Sequence, residues 1–360
     1  MVESRLVGPV RVVGVGLLGT SIGLGLSARG IDVILADASP THLRIAIDYG
    51  AGRAAVSTDS PQLIVVCVPP DVTAEVVARE LDAFPDAIVT DVASVKTAPL
   101  EALKAAGADV SRYIGSHPMA GRERGGPLSG RADLFVGRPW VVAAHDAISY
   151  RRAHAIDDLI LDLGATLVEM TPEEHDRSVA VVSHVPQVVS TLLARRLTDA
   201  PGAALNLAGQ GLRDMTRIAA SDPELWVQIL GANAHPVRDV LQAYRDDLDR
   251  FIDALDDPSA PGAGRRVAEE FAGGNSGVAR LPGKHGQDRR FTSLIVMVDD
   301  SPGQLARLLH EIGEVGVNLE DLRLEHSPGA QIGLAEISVL PEVVTRLTEE
   351  LAARGWRIAG

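Results

Sequence analysis

The chain has 360 residues, enough for two or three domains at roughly 100 to 200 residues each. Hydrophobic residues make up 46% and charged residues 23%, which fits a globular protein and excludes a wholly disordered one. Lys and Arg number 34 against 48 Asp and Glu, a formal net charge of −14 that disfavours nucleic acid as a partner, because polyanion binding needs a basic face.

Val10 to Val13 is a short β-branched run, and GVGLLGTSIGLGLSARG continues it with apolar residues at helical spacing to Gly30. This predicts a strand, a turn and a helix. A second strand follows in IDVILAD, then a helix around His42 to Tyr49 and strands at Leu63 to Val68 and Ala87 to Thr90. The alternation predicts a parallel sheet with crossover helices to about residue 165. The lone cysteine, Cys67, lies in the apolar run LIVVCVPP and has no internal disulfide partner, which suits a reducing cytoplasm. No apolar run reaches the ~18 residues of a membrane span, and Glu3, Arg5 and Arg11 interrupt the apolar start, so neither a membrane segment nor a signal peptide is expected.

From Thr171 the pattern turns helical. TPEEHD carries Thr171 as an N-cap, Pro172 at the first helical position and Glu174 to close a capping box, and Ser221 with Glu224 repeats the device in SDPELW. Residues 257–289, rich in Gly, Pro and charge, read as a linker with at most a short helix at Arg266 to Phe271. The remainder reads βαββαβ, a small ferredoxin-like domain. The expected division is therefore 1–168, an α/β Rossmann-type dinucleotide-binding domain; 169–256, an all-α domain; 257–289, the linker; and 290–360, the βαββαβ domain.

Gly14, Gly16 and Gly19 form G-x-G-x-x-G directly after a strand and at the start of a helix, where backbone approaches a pyrophosphate and Leu17 and Leu18 lie on the helix N-terminus. Asp37 ends the second strand about 20 residues on, where a carboxylate accepts hydrogen bonds from an adenosine ribose and repels a 2′-phosphate, favouring NAD over NADP. Val68 and Pro69 end another strand on the same carboxyl edge, Pro69 chiefly as a loop-shaping residue. The plainer alternatives are a tight turn for the glycines and a solvated loop carboxylate for Asp37.

Four further segments stand out: DVASVK at 91–96, GSHPMAGRERGG at 115–126, SHVPQ at 183–187 and GLRDMTRIAASDPELW at 211–226. In this order, with GVGLLGTSIG, they make residues 8 to 255 resemble the prephenate and arogenate dehydrogenases of tyrosine biosynthesis. The tail, DDSPGQLARLLHEIGEVGVNLED, resembles an ACT regulatory domain. The resemblance implies oxidative decarboxylation of a cyclohexadienyl acid, hydride leaving C4 for nicotinamide while carbon dioxide leaves C1. It also implies a homodimer built on the helical domain.

His117 matches the family's catalytic histidine and Ser94 the serine that holds the same substrate hydroxyl, although Ser94 could also cap the next helix. Lys96 is placed second, supporting loops or cofactor. The substrate's two carboxylates call for a guanidinium, for which Arg217 is the candidate, with Asp214 three residues earlier to orient it. A surface ion pair is the plainer reading of those two. His175 and His184 stand nine residues apart, on opposite faces of an ideal helix, so His184 beside Pro186 is taken for the pocket and His175 for a structural or gating role. Gln187 stands where many relatives carry histidine, and Gln210 where close relatives often carry glycine. Glu123 matches a gating acid, and Arg122 beside it would favour prephenate over arogenate, whose ammonium it repels.

In the tail, Asp300, Gly303 and Asn318 match positions of an amino-acid site, with tyrosine as the expected effector or, alternatively, a pure dimerisation module. A metal is not expected, since no two of the ten histidines lie three to five residues apart and there is no CxxC.

Overall fold

The computed structural model describes residues 4–121, 125–148, 150–281, 291–326 and 332–359. By contact it divides into two compact units, Met1–Ala200 with Met215–Tyr244, and Pro201–Asp214 with Arg245–Gly360.

The first unit begins with β1 (Val10–Val13), α1 (Leu17–Ser27), β2 (Val33–Ala36), α2 (Pro40–Asp48), β3 (Arg53–Ala54), β4 (Leu63–Val66), α3 (Pro70–Ala83) and β5 (Ile88–Asp91). These strands form one five-stranded sheet in the order β3-β2-β1-β4-β5, and every pairing is parallel. The two-residue alternation of a strand sends Val10, Val12, Leu63 and Val65 into one core and Val13, Ile64 and Val66 into another. Both faces are covered, which is why the strands read as continuous apolar runs. The chain reverses its direction of build between β1 and β4, and ligands bind at such a switch point, outside the carboxyl ends of the strands.

The parallel pattern stops earlier than the sequence predicts. After α4 (Thr97–Ala105), β6 (Gly115–Pro118) pairs antiparallel with β7 (Pro139–Ala143), and α5 (Tyr150–Asp162) leads to β8 (Thr166–Met170), parallel to β7. Apolar runs fix strand positions, but direction depends on the connection, and Gly115 to Ala143 holds no crossover helix among the described residues.

The helices α6 (Pro172–Val179) and α7 (Val185–Arg195) follow, joined by a π-helical turn at Ala180–His184. The capping box at Thr171 and Glu174 forms as expected. The second cap differs: Asp222, not Ser221, accepts from Glu224 N at 2.9 Å to open α10 (Pro223–Ala232). Asp and Ser are both strong caps, and here the carboxylate takes the position. Before α10 come α8 (Gly202–Leu205) and α9 (Gln210–Thr216), and after it the long α11 (Ala234–Asp256).

The segment read as a linker is largely α12 (Ala263–Val278), opened by the left-handed Gly262. Phe271 meets Phe251 at 6.0 Å between ring centroids and Glu270 pairs with Arg250 at 3.0 Å, tertiary partners that outweigh its weak intrinsic propensity. The tail holds β9 (Thr292–Asp299), α13 (Gln304–Glu314), β10 (Asp321–His326), β11 (Ile332–Val339), α14 (Pro341–Ala353) and β12 (Arg357–Ala359). Its four-stranded antiparallel sheet, ordered β10-β11-β9-β12, realises the βαββαβ pattern around its own core.

Candidate active site

The glycine loop connects β1 to α1 at the switch point. Gly14 is left-handed, at φ 92°, and a Cβ there would stand 2.5 Å from the Cys67 carbonyl oxygen; at Gly19 a Cβ would stand 1.9 Å from the Gly14 oxygen. Those two glycines serve backbone packing. A Cβ on Gly16 would meet nothing within 4 Å, and Gly16 caps α1 without a side-chain bond. The first N–H groups of α1, at Leu17, Leu18 and Gly19, have no intrahelical acceptor and lie at the positive end of the helix, which fits an anionic pyrophosphate. Asp37 ends β2 and ties the loop: its Oδ2 accepts from Val15 N and its Oδ1 from Ser39 N, both at 2.7 Å. Each oxygen keeps a lone pair for a ribose hydroxyl. Val68 packs against Gly14 and Pro69 precedes α3, so both sit beside the loop.

Past β5 the chain is held from beneath. Asp91 is fully buried; its Oδ1 accepts from Ala93 N at 2.8 Å and from Lys96 Nζ, and its Oδ2 accepts from the Tyr113 hydroxyl at 2.7 Å. Lys96 Nζ also donates to the Ser116 carbonyl at 2.8 Å. Burial pushes the ammonium down while Asp91 opposes the shift. Lys96 is thus a structural strut rather than a ligand group, and it fixes the strand that carries His117. Ser94 lies half-buried in the loop after β5, and its hydroxyl makes no hydrogen bond among the described residues. It does not cap α4. That service comes from Asp176 on α6, whose two oxygens accept from Lys96 N and Thr97 N, each at 2.9 Å.

His117 sits in β6, 9% exposed, and its Nδ1 lies 2.8 Å from Nε2 of His175. His175 Nδ1 in turn lies 2.8 Å from Asp176 Oδ1. Of the two helical histidines, His175 is the one in direct contact with His117. The opposite-faces argument assumed regular winding. The π turn inserts an extra residue, so nine residues advance as about eight, and the two side chains end roughly 80° apart instead of 180°. Pro186 stands after this turn, inside α7.

All three imidazoles are neutral at physiological pH. Burial, reinforced by His175, Lys96 and His184, drives His117 well below the ordinary histidine range. Burial lowers His175 despite Asp176, and burial takes His184 down to about 4. Asp176 stays ionised: burial pushes it up, but bonds from His175, Thr97 and Lys96 outweigh that.

Gln187 turns toward the Arg217–Ala219 turn rather than outward. Its Nε2 donates to the Ile218 carbonyl at 2.8 Å and to Ser221 Oγ at 2.6 Å. Arg217 itself lies on that short 3-10 turn, exposed, past the end of α9. Asp214, on α9, accepts from Gln210 Nε2 at 2.8 Å. Arg122 and Glu123 lie outside the described residues. In the tail, Asp300 is exposed and Gly303, left-handed at φ 89°, opens α13, whereas Asn318 follows the far end of that helix. The 11 residues of α13 put those two groups about 16 Å apart, so one copy does not bring them together.

Residues 22–169 match the prephenate dehydrogenase nucleotide-binding domain, and residues 171–266 match the prephenate dehydrogenase dimerization domain. The chain is 36% identical to the probable prephenate dehydrogenase NovF of Streptomyces niveus over 96% of its own length and 98% of that protein. The chain belongs to the prephenate dehydrogenase family. Two solved members of this fold resemble it along their whole length. The arogenate dehydrogenase of Synechocystis is 28% identical with a TM-score of 0.62, covering 74% of this chain and 99% of that one. The Aquifex aeolicus prephenate dehydrogenase, solved with hydroxyphenyl propionate and NAD+, is 24% identical with a TM-score of 0.68, covering 77% and 99%.

The nucleotide-binding match begins within α1 and runs into β8, and no helix among the described residues is long and apolar enough to cross a membrane. No group of three or more metal-ligating side chains occurs among the described residues. Asp91 and Asp176 were missed in the sequence, although Asp91 opens DVASVK and Asp176 directly follows His175.

Proposed function

We propose that the protein is an NAD-dependent prephenate dehydrogenase that converts prephenate to 4-hydroxyphenylpyruvate with loss of carbon dioxide. The observation that carries the reading is the buried, neutral His117, whose Nε2 makes no hydrogen bond among the described residues, in a chain of this family. NAD, held by the α1 N-terminus and Asp37, supplies the hydride acceptor. A neutral imidazole takes the C4 hydroxyl proton as the carbonyl begins to form, and Ser94 holds the same hydroxyl. Loss of carbon dioxide from C1 makes the ring aromatic, and the proton returns to the phenolate oxygen, leaving His117 neutral for the next cycle.

Arg217 receives a substrate carboxylate through its planar fork. His184 and Gln187 complete the substrate side, Gln187 by holding the Arg217 turn in place. In this reading Glu123 is a gating acid and Arg122 favours prephenate over arogenate. The enzyme works in the cytoplasm as a homodimer through its helical domain, and the tail is an ACT regulator that binds tyrosine by way of Asp300, Gly303 and Asn318. A site using both ends of α13 draws them from two copies.

Arogenate is the second substrate reading, favoured by the 28% identity to the Synechocystis enzyme. Following nicotinamide reduction with prephenate and arogenate, with NAD and NADP, and with and without tyrosine tests all of this. Turnover is expected with prephenate and NAD and inhibition by tyrosine; no turnover with either acid overturns the reading. Deleting residues 288–360 is expected to abolish the tyrosine effect.

A further inference from the structure

We infer that the His175–Asp176 pair sets the tautomer of His117, placing the proton on Nδ1 and leaving the Nε2 lone pair as the base. The inference rests on the reading of His117 as the proton acceptor and gives its second imidazole neighbour a positioning role.

Asp176 is the anchor. Its Oδ2 accepts from Thr97 N and its Oδ1 from Lys96 N, so the N-terminus of α4 holds it as a carboxylate, an acceptor only. An acceptor 2.8 Å from His175 Nδ1 requires a proton on that nitrogen. Neutral His175 then has its lone pair on Nε2. That nitrogen lies 2.8 Å from His117 Nδ1, and two lone pairs cannot face each other at that distance, so His117 donates from Nδ1. The remaining nitrogen of His117, Nε2, is unprotonated.

The opposite arrangement needs a proton on His175 Nε2. It would either turn a Nδ1 lone pair against the carboxylate or charge an imidazole that is 0% exposed. The geometry also serves the moment after proton transfer. An imidazolium at His117 keeps its bond to His175, and the charge of Asp176 lies one ring beyond. Both rings stand on rigid elements, β6 and α6, with Asp176 bridging α6 to α4, and the rings meet edge-on at 71°.

The 15N spectrum of the full-length protein labelled at histidine reports directly which nitrogen carries each proton. Expected are Nδ1–H on both His117 and His175; Nε2–H on His117 overturns the inference. Kinetics give an independent arm. His175→Leu removes the acceptor and is expected to lower kcat by about 10²-fold with KM for prephenate little changed. His175→Gln keeps an acceptor and is expected to lose less than about 10-fold. Equal losses in the two variants, or none in either, overturn the positioning role. A wild-type protein with the expected tautomers but no turnover of prephenate or arogenate refutes the proposed function and leaves the tautomer assignment standing.

Discussion

Asn233 Nδ2 lies 3.0 Å from His184 Nδ1 and 2.8 Å from the Asp176 carbonyl oxygen. A carbonyl only accepts, so the amide nitrogen faces both groups and donates to both, and neutral His184 carries its proton on Nε2. That nitrogen is buried without a partner among the described residues. Protonating Nδ1 would break the bond from Asn233, which adds to the burial that lowers this imidazole to about 4.

The sign of the resulting pH dependence follows. Unfolded, the three histidines take up protons below about 6.5; folded, all three resist to lower pH. The unfolded state binds more protons in that window, so stability is complete above about 6.5 and declines as pH falls toward 4. His184 alone accounts for on the order of 3 kcal/mol across that interval. Urea unfolding at pH 7, 6 and 5 should show the decline, and His184→Gln should flatten it; a curve unchanged down to pH 5 contradicts the assignment.

The glycines separate folding from binding. Gly16→Ala should leave Tm within a degree or two while raising the KM for NAD, because its Cβ enters open space beside α1. Gly19→Ala drives a Cβ into the Gly14 carbonyl and should cost about 1 to 3 kcal/mol or more. Thermal unfolding and NAD titration of the two variants check both outcomes.

Removing the ammonium beneath the site should be costly. Lys96→Met leaves the Asp91 carboxylate buried with only the Tyr113 hydroxyl and Ala93 N, and should destabilise the chain by about 3 to 5 kcal/mol. The double variant Lys96→Met with Asp91→Leu should recover part of that loss, as measured by denaturant midpoints.

His117→Asn should lower kcat by at least ~10² while the affinity for NAD stays at the wild-type value. Near wild-type turnover would remove His117 from the chemistry.

Arg217→Ala should chiefly raise the KM for prephenate, as expected when a carboxylate contact is felt equally in ground and transition states. Steady-state kinetics at saturating NAD separate this from a loss in kcat.

Local rules made much of the molecule readable. The run Val10–Val13, the glycines and Asp37 located the first two strands and their turn because backbone geometry there allows few residue types. Thr171 and Glu174 marked the start of α6 to the residue. What escaped was set by partners distant in sequence. Nothing near Ser94 reveals that a carboxylate about 80 residues later, Asp176, caps α4. Nothing in the spacing of His175 and His184 reveals a π turn between them. The helix at Ala263–Val278 was hidden by its own glycines, since contacts such as Phe251 with Phe271 lie outside any local window.

The wide turn at Ala180–His184 makes residue count, more than residue identity, the sensitive property of this stretch. Val181 and Val182 are exposed, so substitutions there should leave the winding intact. A single-residue deletion there would restore ordinary winding and swing everything downstream by roughly 100° about the axis. His184 would leave Asn233 and Gln187 would leave Ser221 in one step, so drift by point mutation is open to this segment while drift by insertion or deletion is closed.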